Sequence, residues 1–300
     1  MSVQTVKATE AITTIGERWT TVDPLEECRL ALHKTPFRVA HALARNPLFA
    51  VDTLIAAAQE AAKRKNDVYF DAGAVSIADK FGQIPAPELP VDELIRRIRT
   101  AGAWIVLKHV ETDPKYKVVL DEFVEFAKAV AGPEGANLLR DPEIIVLITS
   151  PNRLVPFHFD GVINYLAQIH GSKDVWVCDP LDRSITTEVE IERFYAVTIT
   201  AGNYKPHAEE RATRFTLAPG DALHIPSHAA HWVKNHDEIS VSLSFNFEFP
   251  NWYHKDVYRA NHYLRRLGIT PRPPGRSVMV DRVKAATIGL ARAAKRLVRR

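Results

Sequence analysis

The sequence predicts an α+β fold whose core is a double-stranded β-helix, a jelly roll of short antiparallel strands. Three observations point there. Between Pro142 and Pro250, seven short apolar segments alternate with turn signals, which is the texture of a barrel or sandwich. The last of them, ISVSLSFNFEF (239–249), alternates cleanly, with Ile239, Val241, Leu243, Phe245 and Phe247 on one face and Ser240, Ser242, Ser244, Asn246 and Glu248 on the other. On both sides of this block, apolar residues recur at helical spacing instead.

In chain order, the first half reads mostly helical. Asn46-Pro47 is an N-cap followed by proline at the first helical position. Leu48, Val51, Leu54, Ile55, Ala58 and Ala62 then share a face up to about Arg64. A second helix fits Pro90 to Ala101, with Gly102 as its stop. AWIVLKHV (103–110) reads as a strand, and Tyr116 to Ala131 as a helix closed by Gly132-Pro133. The seven strands are expected at 143–149, 162–170, 174–179, 214–218, 221–226, 231–235 and 239–249. Helices return at about 252–267 and, after the break TPRPPGR (270–276), from about 278 to 300. This divides the chain into a mostly helical region packing on the core (1–140), the jelly-roll core (141–250) and a basic helical segment (251–300).

The 300 residues are 46% apolar and 25% charged, which excludes disordered, collagen-like and low-complexity chains. Two cysteines, Cys28 and Cys178, are too few for a disulfide scaffold or a cysteine-rich zinc cluster. No 18-residue apolar run occurs, and the N-terminus has no apolar signal core, so a cytoplasmic location is expected. Charge is unevenly spread. Residues 251–300 hold 13 Lys and Arg against Asp256 and Asp281, leaving a net −8 on the first 250 residues. That contrast bears on partners rather than on fold.

The chemistry is concentrated in two segments. In FHFD (157–160), His158 and Asp160 are two apart, so a strand presents them on one face. An imidazole and a carboxylate side by side are two parts of the 2-His-1-carboxylate triad, which holds Fe(II) and leaves positions open. Alone, the pair is a weak signal; an ordinary hydrogen-bonded pair has the same spacing. The second segment, LAPGDALHIPSHAAHWVKN (217–235), supplies a third ligand in His231, which opens a strand. His224, His228 and His236 compete with it by proximity; His224 and His228 read as second contacts or loop residues, and His236 lies at the far end of the strand near solvent.

The stretch 151–247 resembles the JmjC and cupin-like branch of the Fe(II)/2-oxoglutarate oxygenases, specifically the factor-inhibiting-HIF type of asparaginyl hydroxylase. The resemblance rests on FHFDGVINYLAQIHGSKDVWVCDP and LAPGDALHIPSHAAHWVKN. It implies a cupin core, a metal bound by His158, Asp160 and His231, and 2-oxoglutarate held at its far carboxylate by Lys173, fifteen residues after His158. It also places Asn164 and Asn246 near the cosubstrate. A buried ammonium suits a single carboxylate, whereas a surface lysine after a glycine turn is the plain alternative. The family often has threonine where this chain has Val155, so a hydroxyl for the cosubstrate has to come from another residue. The run HALARNPLFAVDTLIAAA (41–58) resembles the helical region that precedes this core in bacterial members. The implied activity is oxidative decarboxylation of 2-oxoglutarate coupled to hydroxylation of a protein or small-molecule C–H bond, in preference to N-demethylation. The competing readings are a non-catalytic metal-binding cupin and a cupin enzyme that uses no 2-oxoglutarate; neither needs Lys173.

Other residues have structural readings first. Gln168 shares the parity of Asn164 and faces either pocket or wall. Trp104, Trp176, Trp232 and Trp252 read as core or interface, and Cys178 as buried and inert. In the tail, Val283, Leu290 and Leu297 form a stripe expected to bury against the body or against a second copy of the chain, the favoured use being a homodimer. An anionic membrane surface or a nucleic acid are the alternatives for its cationic face.

Overall fold

A computed structural model describes residues 14–15, 18–80, 82–249 and 255–298. Among these, the strands are β1 (Thr14–Ile15), β2 (Trp19–Thr21), β3 (Phe37–His41), β4 (Val68–Ala72), β5 (Ala103–Leu107), β6 (Arg140–Thr149), β7 (Leu154–His158), β8 (Ile163–His170), β9 (Lys173–Val177), β10 (Thr213–Leu217), β11 (Asp221–Ile225), β12 (His231–Asn235) and β13 (Ser240–Glu248). The helices are α1 (Leu25–Ala31), α2 (Val51–Ala61), α3 (Val91–Arg96), α4 (Pro114–Ala136), α5 (Glu188–Ala196), α6 (Ala208–Arg211), α7 (Lys255–Arg266) and α8 (Val278–Val298). Trp252 lies outside the described residues.

The strands from β6 onward form two facing antiparallel sheets. One sheet has the order β11-β8-β13-β6 at its centre, and the other is β10-β9-β12-β7. Successive strands mostly cross from one sheet to the other, which is the double-stranded β-helix. The N-terminal region contributes strands as well as helices. β3, β2 and β1 extend the large sheet beyond β11, and β5 and β4 extend it beyond β6, to nine strands. β5 is the strand expected at 103–110, whereas β1 to β4, of two to five residues, carry too little periodicity to be read from sequence.

The alternation of β13 has a clear use. Val241, Leu243, Phe245 and Phe247 point outward into the main apolar core, where Phe245 stacks on Phe123 of α4 at 4.3 Å and meets Trp19 edge-on at 5.2 Å. Ser244, Asn246 and Glu248 face the space between the sheets. The helical layer is therefore outside the large sheet, and the polar face of β13 is inside the barrel.

Local signals act as the residue chemistry requires. The Asn46 carboxamide accepts from the Leu48 amide, but the turn it caps, Pro47–Phe49, is a 3₁₀ turn, and α2 starts only at Val51. Gly102 adopts φ +58° where the helical segment ends, although α3 itself stops at Arg96. Gly132 (φ +73°) breaks helical geometry inside α4, and the chain resumes a turn beyond it. Helix α5, between β9 and β10, has no counterpart in the sequence reading. Its signal was a capping box, Thr187 with Glu190.

α7 packs on α5, and α8 packs on α7. Val283 and Leu290 are 64% and 72% exposed on α8, so of the two expected uses of this stripe, burial against the body of the same chain is not the one found. The side chain of Leu297 lies outside the described residues. Among the described residues, no helix is long and apolar enough to cross a membrane.

Candidate metal centre

His158 ends β7 and His231 opens β12, and the two are directly paired in the antiparallel ladder. Their ring centroids are 4.1 Å apart. Asp160 follows two residues after His158. Its backbone carbonyl accepts from the His228 amide at 2.8 Å, and its carboxylate lies 3.8 Å from His231 Nε2. One donor atom from each of His158, Asp160 and His231 lies within 4.8 Å of the others.

The surroundings decide the protonation of this cluster. His158 Nδ1 lies 2.8 Å from the Pro156 carbonyl, and His231 Nδ1 lies 2.9 Å from the Ala229 carbonyl. A carbonyl only accepts, so each Nδ1 carries the hydrogen and each Nε2 is the basic nitrogen. Burial, reinforced by the neighbouring His231, pushes the His158 imidazole down to about 4. Two imidazoles and a carboxyl group are the donor set that suits a divalent iron, and Asp160, its side chain 37% exposed, opens the site to the cavity. The residues fit a metal.

A cavity of about 560 Å3 lies between the sheets, and all six residues singled out in the sequence reach its wall: His158, Asp160, His231, Lys173, Asn164 and Asn246. Lys173 starts β9 and is 3% exposed. Burial pushes its amine down to about 7. The two asparagines belong to one hydrogen-bonded row on the inner face of the large sheet. Asn164 Nδ2 donates to Ser244 Oγ (2.6 Å), Ser244 Oγ donates to Asn246 Oδ1 (3.2 Å), and Asn246 Nδ2 donates to Glu143 Oε1 (3.0 Å).

The other candidates lie elsewhere. Gln168 is fully buried in the wall, donating to the His170 and Gly171 carbonyls and accepting from Ser242 Oγ. It holds the β8–β9 turn. His224 stacks on Phe37 at 4.2 Å among the large-sheet core residues. His236 pairs with Asp174 at 3.1 Å. His228 Nε2 is 2.8 Å from Tyr195 Oη. Burial raises the Cys178 thiol to about 11, consistent with an inert side chain.

Sequence reasoning missed the roof of the site. Phe194 and Tyr195 of α5 line the cavity beside Gly161, whose carbonyl lies 3.2 Å from Tyr195 Oη. A Cβ on Gly161 would meet Phe194 Cε1 at 2.6 Å, so glycine after Asp160 is what admits α5. The α5 backbone is tied to α7 through Arg259 Nε, which donates to the Tyr195 carbonyl (3.0 Å), and Arg265 pairs with the buried Glu192 (2.6 Å). Thr149 and Ser244 also line the cavity and present hydroxyls that Val155 does not. Their positions are readable from strand parity once the inner face is known.

By fold the chain is similar to Escherichia coli ycfD, with 16% identity and a TM-score of 0.52, over 91% of this chain and 68% of that one. It is also similar to structures described as the Escherichia coli ribosomal oxygenase YcfD (16% identity, TM-score 0.45, 86% and 63% covered) and YcfD in complex with cobalt and succinic acid (15%, 0.43, 86% and 62%). The chain thus spans about two thirds of the length of these proteins, and at such identities the likeness is one of fold. No curated protein sequence matches it. The model of the cupin-like domain matches residues 51–253, from α2 through the whole jelly roll. The chain belongs to the cupin-like domain family.

Proposed function

We propose that this protein is an Fe(II)- and 2-oxoglutarate-dependent oxygenase of the JmjC-like branch, hydroxylating a C–H bond of a protein or small-molecule substrate. One observation carries the reading: a His-Asp-His cluster and a buried lysine on the wall of the same cavity. A metal-binding cupin without 2-oxoglutarate has no use for Lys173 there, because burying an amine without a ligand for it is costly.

In this reading His158, Asp160 and His231 hold iron, and Lys173 pairs with the far carboxylate of 2-oxoglutarate. When bound, iron and 2-oxoglutarate would supply the oxidising chemistry with O2 from solution as the oxidant, one oxygen atom going to the substrate C–H bond and the other to succinate, with release of CO2. The protein contributes position and exclusion of water. The Asn164–Ser244–Asn246 row supplies polar contacts between the two ends, and Phe194, Tyr195 and the half-exposed rim around Glu143 and Glu248 take the substrate. The division into 1–140, 141–250 and 251–300 belongs to this proposal, with the N-terminal part building out the large sheet and the C-terminal part bracing α5. So does a homodimer through the C-terminal helices, supported by Val283 and Leu290 standing exposed on α8. An anionic membrane or nucleic acid contact of the cationic tail is the lesser use of the same helix, and a cytoplasmic setting suits both cosubstrate and free thiols.

The test is succinate formation from 2-oxoglutarate by the full chain with Fe(II), with and without cell extract. Turnover that requires iron and rises with extract is expected. Iron and 2-oxoglutarate binding with no turnover under either condition favours the ligand-binding module.

A further inference from the structure

Lys173 is a buried amine that no described residue balances. It makes no hydrogen bond or ion pair with any described residue. Its ladder neighbours are Leu217 on β10 and Asn235 on β12, and Val155, Leu166, Ile225 and Val233 of one apolar cluster share its cavity wall. The ionisable groups of the surrounding strands are spent elsewhere. On its own strand Asp174 pairs with Arg214 and His236, and on β12 Lys234 donates to the Asn152 carbonyl. The charged groups that share the cavity are His158, Asp160 and His231 at the metal end, and Glu143, Glu248, Lys108, Lys255 and Arg259. Glu248 is paired with Lys255 and Arg259 with Asp256. None of these shifts the Lys173 amine; burial alone does. An ammonium in such a wall gives up much of its hydration and gains no counter-charge from the described residues, a cost the neutral amine reduces.

We propose that Lys173 gives up its proton in the empty cavity as the pH rises past neutrality, and that a dicarboxylate entering the cavity there is bound together with a proton from solvent, which the Nζ lone pair takes up. This rests on the reading of the cavity as a 2-oxoglutarate site and adds to it. The ligand carboxylate supplies the counter-charge that the wall lacks, so protonation and ligand binding are one event. The free amine titrates near 7. Affinity is therefore flat below pH 7 and weakens about tenfold per pH unit above it, a response a lysine with a permanent partner does not give.

The experiment is titration calorimetry of succinate into the cobalt-loaded full-length chain, at pH 6 and pH 8, in buffers of different ionisation enthalpy. Uptake of about 0.9 proton at pH 8 is expected from a resting value near 7, replaced at pH 6 by a small net release of about 0.2, because the amine is then already charged and succinate itself sheds the proton it carries there. In Lys173→Arg, whose guanidinium stays charged, succinate binding persists and the uptake at pH 8 falls below about 0.2. Uptake below about 0.2 in the unaltered chain at pH 8, or uptake unchanged in Lys173→Arg, overturns the inference while leaving the dicarboxylate site standing. If Lys173→Arg does not bind, the pH dependence of the unaltered chain decides: a dissociation constant constant from pH 7 to 9 overturns the proposal. Absence of any succinate binding to the cobalt-loaded chain overturns the 2-oxoglutarate reading itself, and this inference with it.

Discussion

His158 and His231 stand opposite each other in the β7–β12 ladder, and each ties its Nδ1 to the carbonyl two residues before it, Pro156 and Ala229. The same local device on two strands leaves Nε2 of each ring as its basic nitrogen. In the proposed reading, loss of either imidazole removes a ligand and leaves the strand pairing in place. His231→Ala and Asp160→Ala should weaken cobalt binding by more than the roughly 10–100-fold that losing an outer partner of a ligand costs. Circular dichroism should be unchanged. Metal titration by calorimetry reads both, and a variant that keeps its affinity removes that residue from the ligand set.

Lys173 predicts a trade between stability and binding. Its folded value, about 7, lies below the ordinary lysine value of 10.5. The sign follows from linkage: the buried amine costs nothing while both states are neutral above about pH 10, and its cost grows as pH falls to 7 and then stays constant. Lys173→Met should therefore stabilise the ligand-free chain at pH 7 by a few kcal/mol, at about 1.4 kcal/mol per unit of displacement. The gain should shrink towards pH 10, and dicarboxylate binding should disappear. Urea unfolding at the two pH values checks this; a destabilised Lys173→Met chain at pH 7 contradicts it.

Gly161→Ala should be costly out of proportion to one methyl group. The new Cβ would sit 2.6 Å from Phe194 Cε1 and 3.1 Å from Tyr195 Oη. α5 must then move off the loop that carries Asp160. A loss of about 1–3 kcal/mol is expected, with weakened metal binding beyond it. The double variant with Phe194→Ala should recover most of the stability, because it removes the atom that is struck.

The exposed stripe on α8 predicts an oligomer rather than a fold contact. Val283→Asp with Leu290→Asp should convert a dimer to a monomer in sedimentation. The melting temperature of the isolated subunit should hold, since both side chains are already exposed on one chain. A drop in stability without a change in mass would assign the stripe to the body instead.

Much of the core was legible because a strand has a period of two. HxD at 158–160 and the alternation of 239–249 each fix which residues share a face, and the structure brings all six singled-out residues to one cavity. What stayed hidden depends on tertiary partners. β2 to β4 are strands of three to five residues that exist because the sheet edge pairs with them. Gln168 has the parity of Asn164, yet a turn at Gly171 claims its carboxamide. Lys173 follows Gly171-Ser172, a context that reads as surface, and only the facing sheet buries it. α5 enters in a long connection whose capping box is weak evidence alone, and it supplies the roof that no motif announced.

The most direct measurement of the central claim needs no substrate. Under anaerobic conditions the full chain is loaded with Fe(II) and titrated with 2-oxoglutarate while the visible spectrum is followed. The account predicts the absorption that a 2-oxo acid gives on binding Fe(II). It should be saturable, absent with succinate, and lost in Asp160→Ala and Lys173→Met. A folded, unaltered chain that shows no such absorption at saturating iron and 2-oxoglutarate would contradict it.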